Sequence, residues 1–125
     1  MKLEPINYCD MINQDFWINL RRKIFSDKDN GFWRCRPWTR KTMSLLSADG
    51  LERFFSPIEA SKRKLFVSPD YTLSVHSWIQ TISQGERFIA DGTAGQLDRN
   101  YPLGFYGFVL NCPENLRRIY ELNSK

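Results

Sequence analysis

The sequence predicts an α+β domain in which helices come first, an antiparallel β-sheet follows and a helix ends the chain. Apolar residues recur at helical spacing in the first part of the chain and alternate with polar residues between positions 64 and 91. The chain has 125 residues, of which 42% are hydrophobic and 14% aromatic, which is enough to bury one core. We therefore expect a single domain over residues 1–125.

The first helix is predicted over residues 10–25. Phe16, Leu20 and Ile24 recur there at the spacing of an amphipathic helix, while the neighbouring basic residues fall mostly on other faces. Residues 27–31, which include aspartate and glycine, then break the helix.

A second helical segment is predicted directly after Cys35. Pro37 is favoured in a first helical turn, and Asp49-Gly50 interrupts the pattern further along. The segment is therefore either one helix or two short ones. Its apolar positions are Met43, Leu46, Leu51 and Phe54.

Three strand candidates follow, and we expect them to form an antiparallel meander. They cover residues 64–67, 71–82 and 87–91. The last two are joined by the turn-forming residues 83–85. Alternation in the middle strand puts His76 and Trp78 on one face and Ser77 and Ile79 on the other.

Another strand is predicted over residues 104–110, where the glycines indicate a bulge or a close approach of the backbone. A last helix over residues 113–122 would turn Leu116, Ile119 and Tyr120 towards the core.

The net charge is +4, and basic residues are concentrated early in the chain, between positions 21 and 64. They include Arg21, Arg22, Lys23, Arg34, Arg36, Arg40, Lys41, Lys62, Arg63 and Lys64. Such a patch attracts acidic proteins, nucleic acid or anionic membranes, or is simply a solvated surface. No zinc-finger spacing, RNA-recognition signature or phosphate-binding glycine loop accompanies it, so we do not expect nucleic acid, a metal or a cofactor.

Localisation is predicted from the cysteines and the apolar segments. Three cysteines do not make a disulfide framework, so we expect the protein to act in a reducing compartment. No apolar run approaches the roughly 20 residues needed to span a bilayer, and residues 1–5 lack the apolar core of a signal peptide. Export would require another signal or a dedicated machine.

Cys35, His76 and Asp91 form a candidate catalytic triad. Cys35 lies at the start of a helix between Arg34 and Arg36, and both features favour a thiolate. The only histidine of the chain, His76, would serve as base and acid. Asp91 would orient the imidazole from the neighbouring strand, so that its other nitrogen points at the sulfur.

Each of these residues also has a structural interpretation. His76 is compatible with a packed strand histidine, Asp91 with a turn initiator and Cys35 with an inert core thiol. Cys9 and Cys112 are alternative nucleophiles because each lies just before a helix, although Cys112 would require a permuted order of the triad.

Residues 76–79 and 88–96 resemble the histidine and aspartate strands of the papain-like superfamily. The resemblance is strongest to its transglutaminase-like members, in which a His-x-Trp strand precedes an Asp-x-Thr turn. The separations within the triad are most similar to those of the glutamine deamidase domains of bacterial dermonecrotic-type toxins and related type III effectors. The resemblance covers residues 35–107.

This resemblance implies a papain-like fold with Cys35 as nucleophile, His76 as general base and Asp91 as orienting acid. Gln96 matches a glutamine that often follows the Asp-x-Thr turn, so Gln96 and Trp78 are predicted as supporting residues, with packing as the alternative. The chain departs from the family pattern after Cys35, where small residues are usual and residues 36–38 are Arg-Pro-Trp.

The function predicted from the resemblance is a cysteine-dependent hydrolase, specifically a glutamine deamidase that acts on a partner protein. Such an enzyme would be a virulence protein, a secreted bacterial effector or toxin that reaches a reducing cytoplasm without a classical signal peptide. A cysteine protease is the alternative with the same site. A different class is a basic binding or inhibitory module that holds a partner with the arginine and lysine patch and with exposed tryptophans such as Trp33 and Trp38.

Overall fold

The computed structural model describes residues 13–29, 34–60, 65–68, 71–73, 76–83 and 85–121. Its helices are α1 (Gln14–Arg22), α2 (Cys35–Ala48) and α3 (Glu114–Tyr120). Its strands are β1 (Ser56–Ala60), β2 (Leu65–Ser68), β3 (Tyr71–Leu73), β4 (His76–Ser83), β5 (Glu86–Asp91) and β6 (Phe105–Phe108). Short 3₁₀ helices span Glu52–Phe54, Ala94–Gln96 and Val109–Asn111. The predicted α+β class is confirmed.

Helix α1 begins after Asn13, whose side chain accepts a hydrogen bond from the backbone N–H two residues on, at 3.0 Å. Trp17 and Leu20 are buried, whereas Phe16 and Ile24 are only half-buried. The buried face is therefore rotated from the predicted one, because the large indole of Trp17 occupies its centre. The predicted start at residues 10–12 lies outside the described residues.

Helix α2 settles the choice between one helix and two, because it runs unbroken from Cys35 to Ala48. It ends in a closing turn in which the N–H of Leu51 donates to the carbonyl of Leu46 at 2.8 Å. The separate 3₁₀ turn Glu52–Phe54 then leads into β1.

The main sheet is antiparallel in the order β1-β4-β5-β6, and β2 pairs with β3 in a separate two-stranded sheet. The predicted continuous meander is therefore wrong. Its middle segment divides into β3 and β4, and β1 lies beside β4 where no strand was predicted. The strand β1 contains Pro57, which cannot donate to a ladder and weakens the sequence signal of a strand.

Apolar clusters cover both faces of the main sheet. On one face, α1 and α2 contribute Trp17, Leu20, Trp38 and Leu46 against Ile79, Phe88, Ala90, Tyr106 and Phe108. On the other face, α3 contributes Leu116, Ile119 and Tyr120 against Trp78, Ile89, Phe105 and Cys112. The predicted inward positions of α3 are thus confirmed, and the central strands are buried on both sides instead of one.

Among the residues with described structure, no helix has the length and apolar character needed to span a membrane.

The predicted strand over residues 104–110 is shorter than expected, since β6 stops at Phe108 and a 3₁₀ turn follows. Its first glycine, Gly104, marks a close approach of the backbone to the end of β5.

This close approach gives a stability prediction with a matched control. Gly104 and Gly85 have positive φ angles of 103° and 79°. A Cβ on Gly104 would lie 2.4 Å from Tyr106 Oη and 2.7 Å from the carbonyl oxygen of Asp91, whereas Gly85 has nothing within 4 Å. We expect Gly85→Ala to lower the free energy of unfolding by about 1 kcal/mol and Gly104→Ala by at least about 3 kcal/mol. Urea denaturation measures both, and equal losses would contradict the close approach.

Candidate active site

The structure brings His76 and Asp91 together, as the strand pattern predicts. His76 is the first residue of β4 and Asp91 the last of β5, and these strands are antiparallel neighbours. The Nε2–H of His76 donates to Asp91 Oδ2 at 2.6 Å, and both side chains are fully buried. Because Asp91 takes Nε2, Nδ1 is the ring nitrogen left to face other groups.

Both oxygens of the Asp91 carboxylate accept further hydrogen bonds. Oδ1 accepts from the backbone N–H and the hydroxyl of Thr93, at 3.1 and 3.2 Å. Oδ2 accepts from Tyr120 Oη at 2.7 Å in addition to His76. The Asp-x-Thr turn is therefore the element that fixes the rotation of the carboxylate.

The turn after Asp91 is held by both N-terminal helices. The indole of Trp38 packs so closely on Gly92 that a Cβ there would lie 2.1 Å from Trp38 Nε1. The carbonyl of Gly92 accepts from Nε of the buried Arg21 at 2.7 Å. The sequence places Arg21 in the basic patch. In the structure its side chain is buried and supports the turn after Asp91.

Cys35 is the first residue of α2 and is 6% exposed. Burial by itself raises the pKa of its thiol, but a hydrogen bond and the charge of His76, together with a backbone hydrogen bond from Ser77, lower it more, so the net pKa lies below the ordinary value. The thiolate is therefore favoured.

The imidazole responds in the opposite direction. Burial lowers the pKa of His76, but the charge and hydrogen bond of Asp91 and the contact with Cys35 outweigh it and raise the pKa to about 9. A lowered thiol pKa and a raised imidazole pKa both favour transfer of the thiol proton to the imidazole, which is the direction of a thiolate–imidazolium pair. Such a pair is a nucleophile with an acid beside it.

The two arginines that flank Cys35 have other partners. Arg34 pairs with Asp29 at 2.5 Å, and Arg36 pairs with Glu59 at 2.6 Å. The largest favourable contribution to the thiolate therefore comes from His76, and Arg36 keeps a charge interaction with Cys35 in the predicted direction.

The supporting residues Gln96 and Trp78 both lie against His76. Gln96 Nε2 is 3.3 Å from His76 Nδ1 and donates to Thr93 Oγ1 at the same distance. Trp78 stacks on the imidazole with ring centroids 5.9 Å apart and meets Tyr120 edge-on at 5.1 Å. These contacts restrict rotation of the imidazole ring.

The other cysteines differ from Cys35. Cys112 is buried in the apolar cluster on the α3 face, and burial raises the pKa of its thiol to about 12. It is therefore a poor nucleophile at neutral pH. Cys9 lies outside the described residues, as does Trp33. The expectation of an exposed Trp38 that holds a partner is wrong, because this side chain is fully buried between the helices and the sheet.

A groove runs between α2 and β1 beside the triad, with a cavity volume of about 650 Å³. Thr39 and Ser77 line it close to Cys35, and Thr39 Oγ1 donates to the carbonyl of Cys35 at 2.9 Å. Glu59 also lines the groove, and its carboxylate accepts hydrogen bonds from Arg36 and Ser77. The groove is thus lined by sequence neighbours of Cys35 and His76, whereas the two residues themselves lie outside its lining.

Sequence reasoning missed Tyr120 and Arg21 as parts of the site. Tyr120 was predicted only as a core residue, and no sequence pattern relates its hydroxyl to Asp91. Thr93 had a visible signal in the Asp-x-Thr turn, but its role as donor follows from the structure.

Comparisons with protein-family models, curated proteins and solved structures found no match for this chain. The geometry of the site itself therefore carries the functional interpretation.

The site predicts the titration of the single histidine. The pKa of His76 is expected near 9 in the wild type and to fall in Asp91→Asn, because burial lowers it and the charge and hydrogen bond of Asp91 are the largest contributions that raise it. The pKa of His76 is higher in the folded protein than the ordinary value of 6.5, so protonation of the imidazole stabilises the fold. This contribution is complete below about pH 6.5 and is lost as the pH rises through about 9. NMR of protein labelled with ¹⁵N at histidine measures the pKa.

Asp98→Asn is the control for this titration, since Asp98 contacts Asn100 and Asn115 and has no hydrogen bond to the triad. An equal pKa in wild type and Asp91→Asn would show that Asp91 does not set the charge of the imidazole.

Proposed function

We propose that this protein is a cysteine-dependent amidohydrolase in which Cys35 is the nucleophile, His76 the general base and acid, and Asp91 the orienting carboxylate. The observation that carries the proposal is the chain of contacts from Cys35 through His76 to Asp91, in which the thiol pKa is lowered and the imidazole pKa is raised. A buried cysteine that only fills space is expected to have a raised thiol pKa, as Cys112 has, because burial disfavours the thiolate.

The proposed reaction converts a carboxamide and water into a carboxylate and ammonium, since the departing ammonia takes up the proton that the new carboxylic acid releases. The Cys35 thiolate attacks the amide carbon, a C–S bond forms and the carbonyl electrons move to the oxygen. The imidazolium of His76 protonates the departing nitrogen as the C–N bond breaks, which leaves a thioester. Neutral His76 then takes a proton from water, whose oxygen attacks the thioester and releases the carboxylate and the thiolate.

Two groups are proposed to stabilise the oxyanion. Cys35 is the first residue of α2, where backbone N–H groups have no partner within the helix, so its own N–H is one donor. The side-chain amide of Gln96, within 3.3 Å of His76, is the second. Trp78 keeps the role of a packing support for the imidazole.

The arrangement of elements supports a papain-like architecture within the α+β class. The nucleophile begins a helix that packs on an antiparallel sheet, and neighbouring strands of that sheet carry the histidine and the aspartate. This is the arrangement implied by the resemblance to transglutaminase-like proteins.

Access to the nucleophile favours a glutamine side chain over a peptide bond as the substrate. Cys35 is 6% exposed and His76 fully buried, so a narrow group on a flexible stem reaches the sulfur more readily than a main-chain amide. A primary carboxamide is such a group. We therefore favour glutamine deamidation over peptide-bond cleavage as the reaction.

Charges near the groove favour a protein partner with an acidic surface. Lys23, Arg40 and Lys41 line a smaller cavity that shares Arg40 with the groove, and none of the three forms an ion pair within the described part of the chain. Surface cations of this kind attract acidic segments and speed association. The resemblance extends this proposal to a secreted bacterial effector or toxin that acts on a host protein in a reducing cytoplasm.

The test is conversion of glutamine to glutamate in the proteins of a eukaryotic cell extract, read by peptide mass spectrometry. The wild type is expected to convert specific glutamines with release of ammonia. Cys35→Ala and His76→Ala should lower the rate by at least about 10³-fold, and Asp91→Ala by a smaller factor. Cys112→Ala is the matched control and should stay active, provided that circular dichroism shows a folded protein.

Three other results would redirect the proposal. Peptide-bond cleavage that depends on Cys35 would favour the protease. Activity that survives Cys35→Ala would remove this residue as nucleophile. Salt-sensitive retention of an extract protein by both wild type and Cys35→Ala, with no chemistry, would favour the binding module.

A further inference from the structure

Tyr120 contacts the site from the side opposite to α1 and α2. It is the last residue of α3, its side chain is fully buried, and its Oη is 2.7 Å from Asp91 Oδ2. The same oxygen accepts the Nε2–H of His76 at 2.6 Å. One carboxylate oxygen thus joins the phenol and the imidazole.

The proton in this contact belongs to the tyrosine. Burial and the negative charge of Asp91 raise the pKa of Tyr120 well above its ordinary value, so the phenol stays protonated and donates. Thr93 occupies the other oxygen of Asp91. The Asp91 carboxylate is therefore the acceptor in each of these hydrogen bonds.

We infer that Tyr120 is a positioning residue of the active site, whose hydroxyl holds the Asp91 carboxylate in the orientation that meets His76. The hydrogen-bonded line then has four members, from Cys35 through His76 and Asp91 to Tyr120. The catalytic consequence of this inference rests on the proposed hydrolase, whereas the positioning itself does not.

Tyr120 acts on the imidazole by two routes. The first runs through the hydroxyl to Asp91, and the second through the ring, which meets Trp78 edge-on while Trp78 stacks on His76. The backbone of Tyr120 is also fixed, because its carbonyl accepts from Nη2 of Arg87 at 2.9 Å. The C-terminal helix thereby becomes part of the site.

The hydroxyl also moderates the charge that His76 experiences. A donor on Oδ2 draws negative charge away from the side of the carboxylate that faces the imidazolium. Without it, Asp91 stabilises the imidazolium more strongly, and the imidazolium becomes a weaker acid for the leaving nitrogen. Other titratable or charged groups near the line are Cys35 on α2, Arg21 on α1, Tyr106 on β6 and Cys112 before α3.

The test compares Tyr120→Phe with Tyr106→Phe. Both tyrosines are buried, but the hydroxyl of Tyr106 donates to the carbonyl of Leu103 at 2.8 Å instead of to Asp91. We expect Tyr120→Phe to raise the NMR pKa of His76 by about half a pH unit or more and to shift its Nε2–H signal. Tyr106→Phe should leave both unchanged, although each variant loses a buried hydrogen bond and some stability.

A titration of His76 in Tyr120→Phe that matches the wild type would overturn the inference and leave Tyr120 a packing residue. If Tyr120→Phe does not fold, wild-type protein with its five tyrosines replaced by 3-fluorotyrosine, a stronger donor, provides the test. The pKa of His76 should then fall, and an unchanged value would equally reject the inference. The NMR measurement needs no substrate, so it stands apart from the outcome of the deamidation experiment.

Discussion

The buried carboxylate of Asp91 is the constraint on which the site depends, because an ionised group without access to water costs several kcal/mol unless hydrogen bonds replace its hydration. His76, Tyr120 and the N–H and hydroxyl of Thr93 supply those bonds. Each donor comes from a different element or from the turn itself. The carboxylate therefore couples β4, β5 and α3, and a change at any of them alters the charge that His76 experiences.

The two covered faces of the sheet explain how the remaining groups reach this carboxylate. Helix α2 packs on one face and brings Cys35 to the imidazole, while α3 packs on the other and brings Tyr120 to Asp91. Trp38 and Arg21 hold the turn after Asp91 from the first face. The site thus lies where the two apolar layers meet the end of β5, and its geometry depends on both.

Much of this arrangement could be predicted from the sequence, because local patterns encode it. The start of α2 at Cys35 follows from helix signals, and the neighbouring positions of His76 and Asp91 follow from two strands joined by a tight turn. The Asp-x-Thr turn encodes the contact between Thr93 and Asp91. These are short-range relations that residue type and spacing determine.

The rest depends on tertiary contacts that no local pattern specifies. The strand β1 was missed because Pro57 masks it, although an edge strand tolerates proline. The ion pairs of Arg34 with Asp29 and of Arg36 with Glu59 are likewise invisible in the sequence, which places both arginines only beside Cys35. The role of Tyr120 is set by the packing of α3, which a helical periodicity places in the core without saying what its hydroxyl meets.

The most direct test of the thiolate–imidazolium pair is the rate at which iodoacetamide labels Cys35 and Cys112 as a function of pH, in wild type and in His76→Ala. The structure predicts that Cys35 reacts fast at pH values where an ordinary thiol is protonated, that Cys112 stays slow, and that His76→Ala shifts the onset of Cys35 labelling to higher pH. Labelling of Cys35 that is no faster than that of Cys112, or that does not respond to His76→Ala, would contradict the pair and with it the proposed chemistry.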